Sequence, residues 1–200
     1  MIETKSSLVF IAGSIAIKEL DPQVKTRIDR ILFSPMEIVV GDAKGADTVI
    51  QQYMLDCNAP NEQVTVFCSG TKPRNNLGSW PTIQVKTDHP FGSREFFTAK
   101  DIRMASIADY GLMIWDSKST GTLSNVIELL SRNKKSVVFI DNLKTFKSVT
   151  DVASLEDLVT HMSARDKQTA NQKIDLFRKI EALKSRESVP APKKPRRLVP

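Results

Sequence analysis

Between residues 7 and 140 the chain alternates short, nearly unbroken apolar runs with longer stretches in which apolar residues recur every third or fourth position. Ser7–Ala12 ends at Gly13 and Glu37–Val40 at Gly41, and Val64–Cys68, Tyr110–Trp115 and Ser136–Ile140 complete the set of runs. Runs of this length read as strands buried on both faces. Between the first two, Asp21 followed by Pro22 is a helix start, with Val24, Ile28, Ile31 and Leu32 at i, i+4, i+7 and i+8. Further helices are predicted over Gly45 to about Asp56, where Val49, Ile50 and Tyr53 are apolar, over Ser93 to Ala108 and over Thr122 to Arg132. Ser69 to Lys86, with Gly70, Pro73, Gly78 and Pro81, reads as a long irregular connection, a type of segment that often carries function.

Strands separated by helices of roughly 10 to 15 residues imply right-handed crossovers and a parallel sheet covered on both faces. The predicted class is α/β: a Rossmann-like domain over residues 1–145, a mostly parallel sheet flanked by helices, and a C-terminal helical extension over residues 150–187. Ligands of such sheets bind beyond the carboxyl ends of the strands, which directs attention to the loops after Ala12, Val40 and Trp115.

After Ile140 the alternation stops. Ser154 to Glu187 is one long helical pattern, bent or split near Ser163, in which Ile174, Phe177, Ile180 and Leu183 form a narrow apolar stripe. The stripe packs on the domain or on a second copy of the chain, and exposed residues within it would suggest a homodimer. Residues 188–200 are Pro-rich and basic, the composition of a disordered tail. The closing Leu198-Val199-Pro200 resembles the start of a thrombin site, so the tail reads in part as a tag.

Charge and composition narrow the options. The net charge of +6 is confined to the end of the chain: residues 1–160 hold 18 Lys+Arg against 19 Asp+Glu, and residues 161–200 hold 11 against 4. A nucleic-acid partner would therefore be engaged through the basic tail. The longest apolar stretch, Leu8–Ile17, is broken by Gly13 and Ser14 and falls short of the roughly 18 residues of a membrane helix. With no secretory pattern at the N-terminus, a cytoplasmic protein is expected. Cys57, Cys68, His89 and His161 lack zinc-site spacing, so no metal is expected.

Two loops could carry chemistry. Gly41-Asp42-Ala43-Lys44-Gly45-Ala46-Asp47 follows a strand and opens a helix. Its glycines allow close backbone approach, the helix N-terminus suits a phosphate, and Lys44 adds a point charge. It has neither the Walker A ending nor dinucleotide-type glycine spacing, and a tight strand-to-helix turn would use the same residues. Asp116-Ser117-Lys118-Ser119-Thr120-Gly121-Thr122 has the same construction. Thr122 can cap the following helix, Ser119 and Thr120 offer hydroxyls, and Asp116 can accept from sugar hydroxyls. Arg94 stands in the first turn of its helix, where a cation opposes the dipole, so an anionic partner is expected for it. Arg103 lies nine residues further on, half a turn away around the helix, so the two arginines do not point at one ligand.

The order of Gly13-Ser14 after a strand, Val-Val-Gly-Asp-Ala-Lys-Gly-Ala-Asp (39–47), Arg-Met-Ala-x-x-Ala-Asp (103–109) and Ile-Trp-Asp-x-x-Ser-x-Gly-Thr (114–122) resembles the SLOG superfamily, in the branch related to YpsA, DprA and the LOG proteins. The resemblance covers about Leu8 to Asp141. It implies a Rossmann-like fold that binds nucleotides, nucleotide-derived molecules such as ADP-ribose or NAD-like ligands, or nucleic acid, with contacts from Gly13-Ser14, Gly41 to Asp47 and Ser119 to Thr122. LOG-type enzymes, which cleave N-glycosidic bonds, resemble Pro-Gly-Gly-x-Gly-Thr-x-x-Glu. Here the place of that glutamate is taken by Asn125, which cannot stabilise an oxocarbenium-like centre or activate water.

Three functions follow. The first is a sensor or binding module for a nucleotide-type small molecule at the carboxyl edge of the sheet, with no other cofactor. The second is a nucleoside hydrolase or deoxyribosyltransferase-like enzyme using Asp47 or Asp116. The third is nucleic-acid binding of the DprA kind.

Overall fold

The computed structural model describes residues 6–188. Seven strands form one sheet in the order β4-β3-β2-β1-β5-β6-β7: β1 (Leu8–Gly13), β2 (Glu37–Gly41), β3 (Val64–Ser69), β4 (Thr82–Val85), β5 (Tyr110–Trp115), β6 (Lys135–Ile140) and β7 (Thr145–Val149). The first six run parallel and β7 returns antiparallel to β6. The helices are α1 (Pro22–Leu32), α2 (Ala46–Asp56), α3 (Arg94–Ile107), α4 (Thr120–Ser131), α5 (Val152–Thr160), α6 (Ala164–Ile174) and α7 (Leu176–Glu187). The expected Rossmann-like class is the one observed.

Each inner strand feeds two apolar layers, because successive side chains point to opposite faces. Val9 and Ile11 of β1 join Val24, Ile28, Ile50 and Met54 of α1 and α2, whereas Phe10 and Ala12 join Met104, Leu123 and Val126 of α3 and α4. Chain order runs outward from β1 in both directions, through β2 on one side and β5 on the other. The crevice at that switch point is where α/β sheets place ligands.

Several expectations need correction. The 69–86 connection contains an edge strand, β4, and a second edge strand, β7, follows β6. The C-terminal pattern is three helices: the break near Ser163 is present, with Ser163 capping α6, and Asp175 at φ 54° makes a second break. The apolar stripe turns inward, with Ile174, Ile180 and Leu183 buried in the same cluster as α4 and only Phe177 half exposed, at 49%. It is therefore a packing face within the chain. Helix α4 starts two residues earlier than expected: Ser119 is the cap, accepting from the Thr122 amide at 3.4 Å. The basic tail expected to be disordered lies outside the described residues. Among the described residues no helix is long and apolar enough to cross a membrane.

Candidate functional site

A cavity of about 730 Å³ opens at the carboxyl ends of β1, β2 and β5, within the range of small-molecule sites. Of the residues expected from the sequence, Gly13, Asp47, Arg94, Asp116 and Ser119 to Thr122 line it; Ser14, Gly41, Asp42, Lys44, Gly45 and Ala46 stand behind the wall or outside it.

The α4 side is built by hydrogen bonds that lock the loop and leave the helix start open. Asp116 Oδ1 accepts from the amides of Lys118 (3.0 Å) and Ser119 (2.7 Å) and from the Ser14 hydroxyl (3.0 Å). Ser14 is buried, and its oxygen also accepts from the Asp116 amide and lies 3.2 Å from Thr122 Oγ1. Asp116 thus holds the loop together. The amides of Thr120 and Gly121 have no partner among the described residues, and a Cβ built on Gly121 would meet nothing closer than Ser119 Oγ at 3.9 Å. Thr120 and Gly121 both line the cavity, at the positive end of a 12-residue helix.

Arg94 reaches the same end. Its Nη1 donates to the Lys173 carbonyl at 2.9 Å and its Nη2 to Thr120 Oγ1 at 3.4 Å. Both acceptors are neutral, so the guanidinium retains its charge for an anion. Lys173 and Thr169 of α6 also line the cavity, so the helical extension supplies one wall. Arg103 is exposed and outside it.

The α2 side differs from expectation. Gly45 sits at φ 79° with its missing side chain pressed on the Ile15 backbone, and the Ala46 amide donates to the Ser14 carbonyl at 3.2 Å. A Cβ on Gly41 would strike Asp47 Oδ2 and lie 2.5 Å from Lys100 Nζ. The space that this loop makes is filled by protein.

What fills it is a buried charge cluster that sequence reasoning missed. Lys100, only 3% exposed, bonds Asp101 at 2.6 Å and lies 3.9 Å from both Asp42 and Asp47. Arg74 grips Asp42 through Nη2 to Oδ1 (2.6 Å), Nε to Oδ2 (3.1 Å) and its backbone amide to Oδ2 (3.0 Å). Burial pushes the Asp42 carboxyl up, but the Arg74 bonds and the nearby Lys100 outweigh it and hold the group below its ordinary value. Burial pushes Asp47 up to about 6 against the pull of Lys100, with the negative charges of Asp101 and Asp42 adding to the rise. Lys100, which burial alone would lower, is held above its usual value by Asp101 and Asp47. The opposite pulls are consistent: Lys100 commits its hydrogen bond to Asp101, leaving Asp47 the least compensated acid.

On α3, Arg94, Phe97, Thr98 and Asp101 recur at i, i+3, i+4 and i+7 and all line the cavity. That spacing is visible in the sequence and would have singled out Asp101. Asn125, 8% exposed, lines the cavity too, while Glu128 is tied to Arg132 at 2.5 Å outside the main chamber. Of the two candidate catalytic carboxylates, Asp116 is committed to its loop and Asp47 is buried, with its pKa pushed up to about 6.

No family model and no curated protein matches the chain. Among solved structures it is similar to DNA processing protein A from Helicobacter pylori, described in its single-stranded DNA binding mode, with 16% identity, 84% of this chain and 80% of that one covered, and a TM-score of 0.51. The likeness is one of fold: this chain has the α/β architecture of DNA processing protein A.

Proposed function

We propose that the protein binds a nucleotide or nucleotide-derived small molecule in the crevice between β1 and β5, as a sensor or binding module. The observation that carries this reading is the pairing of the two unpartnered amides at the start of α4 with Arg94, whose own acceptors are neutral, at the edge of a cavity of about 730 Å³. Oriented amides and a guanidinium are what phosphate oxygens require. The hydroxyls of Ser119 and Thr120, with Asn125, suit sugar oxygens. The test is a thermal-shift screen, backed by native mass spectrometry, against nucleoside mono-, di- and triphosphates, NAD and ADP-ribose. A ligand at 100 times its Kd adds about 2.7 kcal/mol, or roughly 5 to 10 °C for a chain of this size. Silence across the panel overturns the reading.

A second reading, single-stranded nucleic acid as ligand, is favoured by the shared fold with a protein whose DNA-bound mode is known. Its signature is binding of a single-stranded oligonucleotide that weakens steeply with salt and falls on truncation after Glu187.

A further inference from the structure

Arg74 and Arg94 both reach the cavity, but their surroundings differ. Arg94 has no carboxylate partner among the described residues. Arg74 has one that is 1% exposed, and three hydrogen bonds pin its edge and its backbone to that carboxylate. A phosphate at Arg74 would have to compete with a fixed buried anion, so the pair behaves toward ligands as a neutral plane. Phe97 lies against that plane, with the guanidinium carbon 4.5 Å from the ring centroid. The side chain is nevertheless 41% exposed and lines the cavity, so what it presents to a ligand is its remaining face. The segment that carries it is fixed as well: Asn75 donates to the Asp42 carbonyl at 3.0 Å, and the buried Gln51 accepts from the Leu77 amide at 3.0 Å and donates to the Gly41 carbonyl at 2.8 Å. A rigid guanidinium plane, backed by an aromatic ring and stripped of net charge, is suited to stacking on a flat heteroaromatic ring.

We propose that Arg74, held by Asp42 and backed by Phe97, is the stacking platform for the nucleobase of the ligand. The phosphate then lies at Arg94 and the α4 amides, and the base lies on Arg74. This assignment rests on the nucleotide-binding reading above and extends it by naming which arginine reads which end.

The test is calorimetric titration of AMP, GMP, CMP, UMP and ADP-ribose, with ribose 5-phosphate measured by competition, on the full chain and on its Arg74→Lys and Phe97→Leu variants. Lysine keeps the charge and loses the plane, and leucine keeps apolar volume and loses the ring. Circular dichroism establishes that each variant is folded. The expected result is a loss of about tenfold or more in affinity for the best-bound nucleotide in Arg74→Lys, a smaller loss in Phe97→Leu, and ribose 5-phosphate affinity unchanged within about twofold. If Arg74→Lys weakens ribose 5-phosphate as much as the nucleotide, Arg74 is an anion receptor; if it weakens neither, it is no part of the site. Either result overturns the proposal and leaves nucleotide binding standing. If no member of the panel binds the unaltered protein, nucleotide binding itself fails and the proposal with it.

Discussion

Among the described residues, Asp42, Asp47 and Asp101 share two cations, Lys100 and Arg74, within one buried cluster. Arg74 serves Asp42 and Lys100 bonds Asp101, so burial of Asp47 is only partly offset, and its pKa is raised from 3.8 to about 6. A rise of that size corresponds to about 3 kcal/mol. Because the folded value is the higher one, the folded state binds this proton more strongly than the unfolded chain. The contribution is complete below pH 3.8, declines as pH rises, and is gone once pH passes about 6. At neutral pH the ionised carboxylate is therefore a cost to folding. Asp47→Asn retains an oxygen to accept from the Ala43 amide, 3.1 Å away, and cannot ionise. Urea unfolding at pH 4 and pH 8, followed by the fluorescence of the buried Trp80 and Trp115, measures the difference directly. Relative to the unaltered protein, the variant should gain about 2.4 kcal/mol on going from pH 4 to pH 8. Asp42, whose lowered pKa favours the folded state as pH rises, is present in both proteins. A variant that instead loses stability relative to the parent as pH rises would mean that Lys100 makes ionised Asp47 favourable, and the account of the cluster would be wrong.

Gly41→Ala puts a methyl group onto Asp47 Oδ2 and Lys100 Nζ, and should lower stability by roughly 1 to 3 kcal/mol, read from the urea midpoint. Leu176→Ala removes a fully buried side chain at the start of α7 and should cost roughly 2 to 5 kcal/mol in equilibrium unfolding; a negligible effect would mean that α7 is not docked. Arg94→Gln removes the cation at the α4 start and the bond to Lys173, so nucleotide affinity should fall roughly 10- to 100-fold by calorimetry. Amide exchange across residues 164–174 should quicken in the same variant.

The strands that are legible in the sequence are those buried on both faces, where hydrophobicity needs no periodicity to be noticed. Tyr110–Trp115 is expected with both its observed ends, β2 and β3 extend one residue further, to Gly41 and Ser69, and β1 is shifted by one residue, from Ser7–Ala12 to Leu8–Gly13. The two strands that escape are the sheet edges. Thr82-Ile-Gln-Val has no buried residue, and Thr145-Phe-Lys-Ser-Val has only Val149 buried, so neither carries an apolar run, and their identity comes from the neighbour that pairs with them. The same reasoning explains Lys100. A lysine within a helix ordinarily reads as a solvated side chain, and only the packing of α3 on β3 and β2 delivers it to Asp42 and Asp47, more than fifty residues earlier. Arg74 is hidden for a different reason: it lies in a connection with no periodicity, and its meaning depends on Asp42 being buried beneath it.

The two Gly-containing loops expose the limit of pattern reading most clearly, because both have the same grammar: strand, polar turn, glycine, helix. In each the absent Cβ creates space, and the sequence does not say what fills that space. At Gly41 it is filled by Asp47 and Lys100, and at Gly45 by the backbone of Ile15. The first loop is therefore a packing device whose first helical amide, that of Ala46, donates to the Ser14 carbonyl, and its carboxylates would repel a phosphate wherever Lys100 and Arg74 are already engaged. At Gly121 the space is open and the neighbouring acid, Asp116, has turned its oxygen inward to the loop amides and Ser14. An anion approaching the crevice thus meets a helix start crowded by the Ser14 and Ile15 backbone and the Asp47 carboxyl on one side and an open one at Gly121 on the other. Under the nucleotide-binding reading, the phosphate belongs at α4, and the cluster behind α2 serves to hold Arg74 flat against the opposite side of the same ligand.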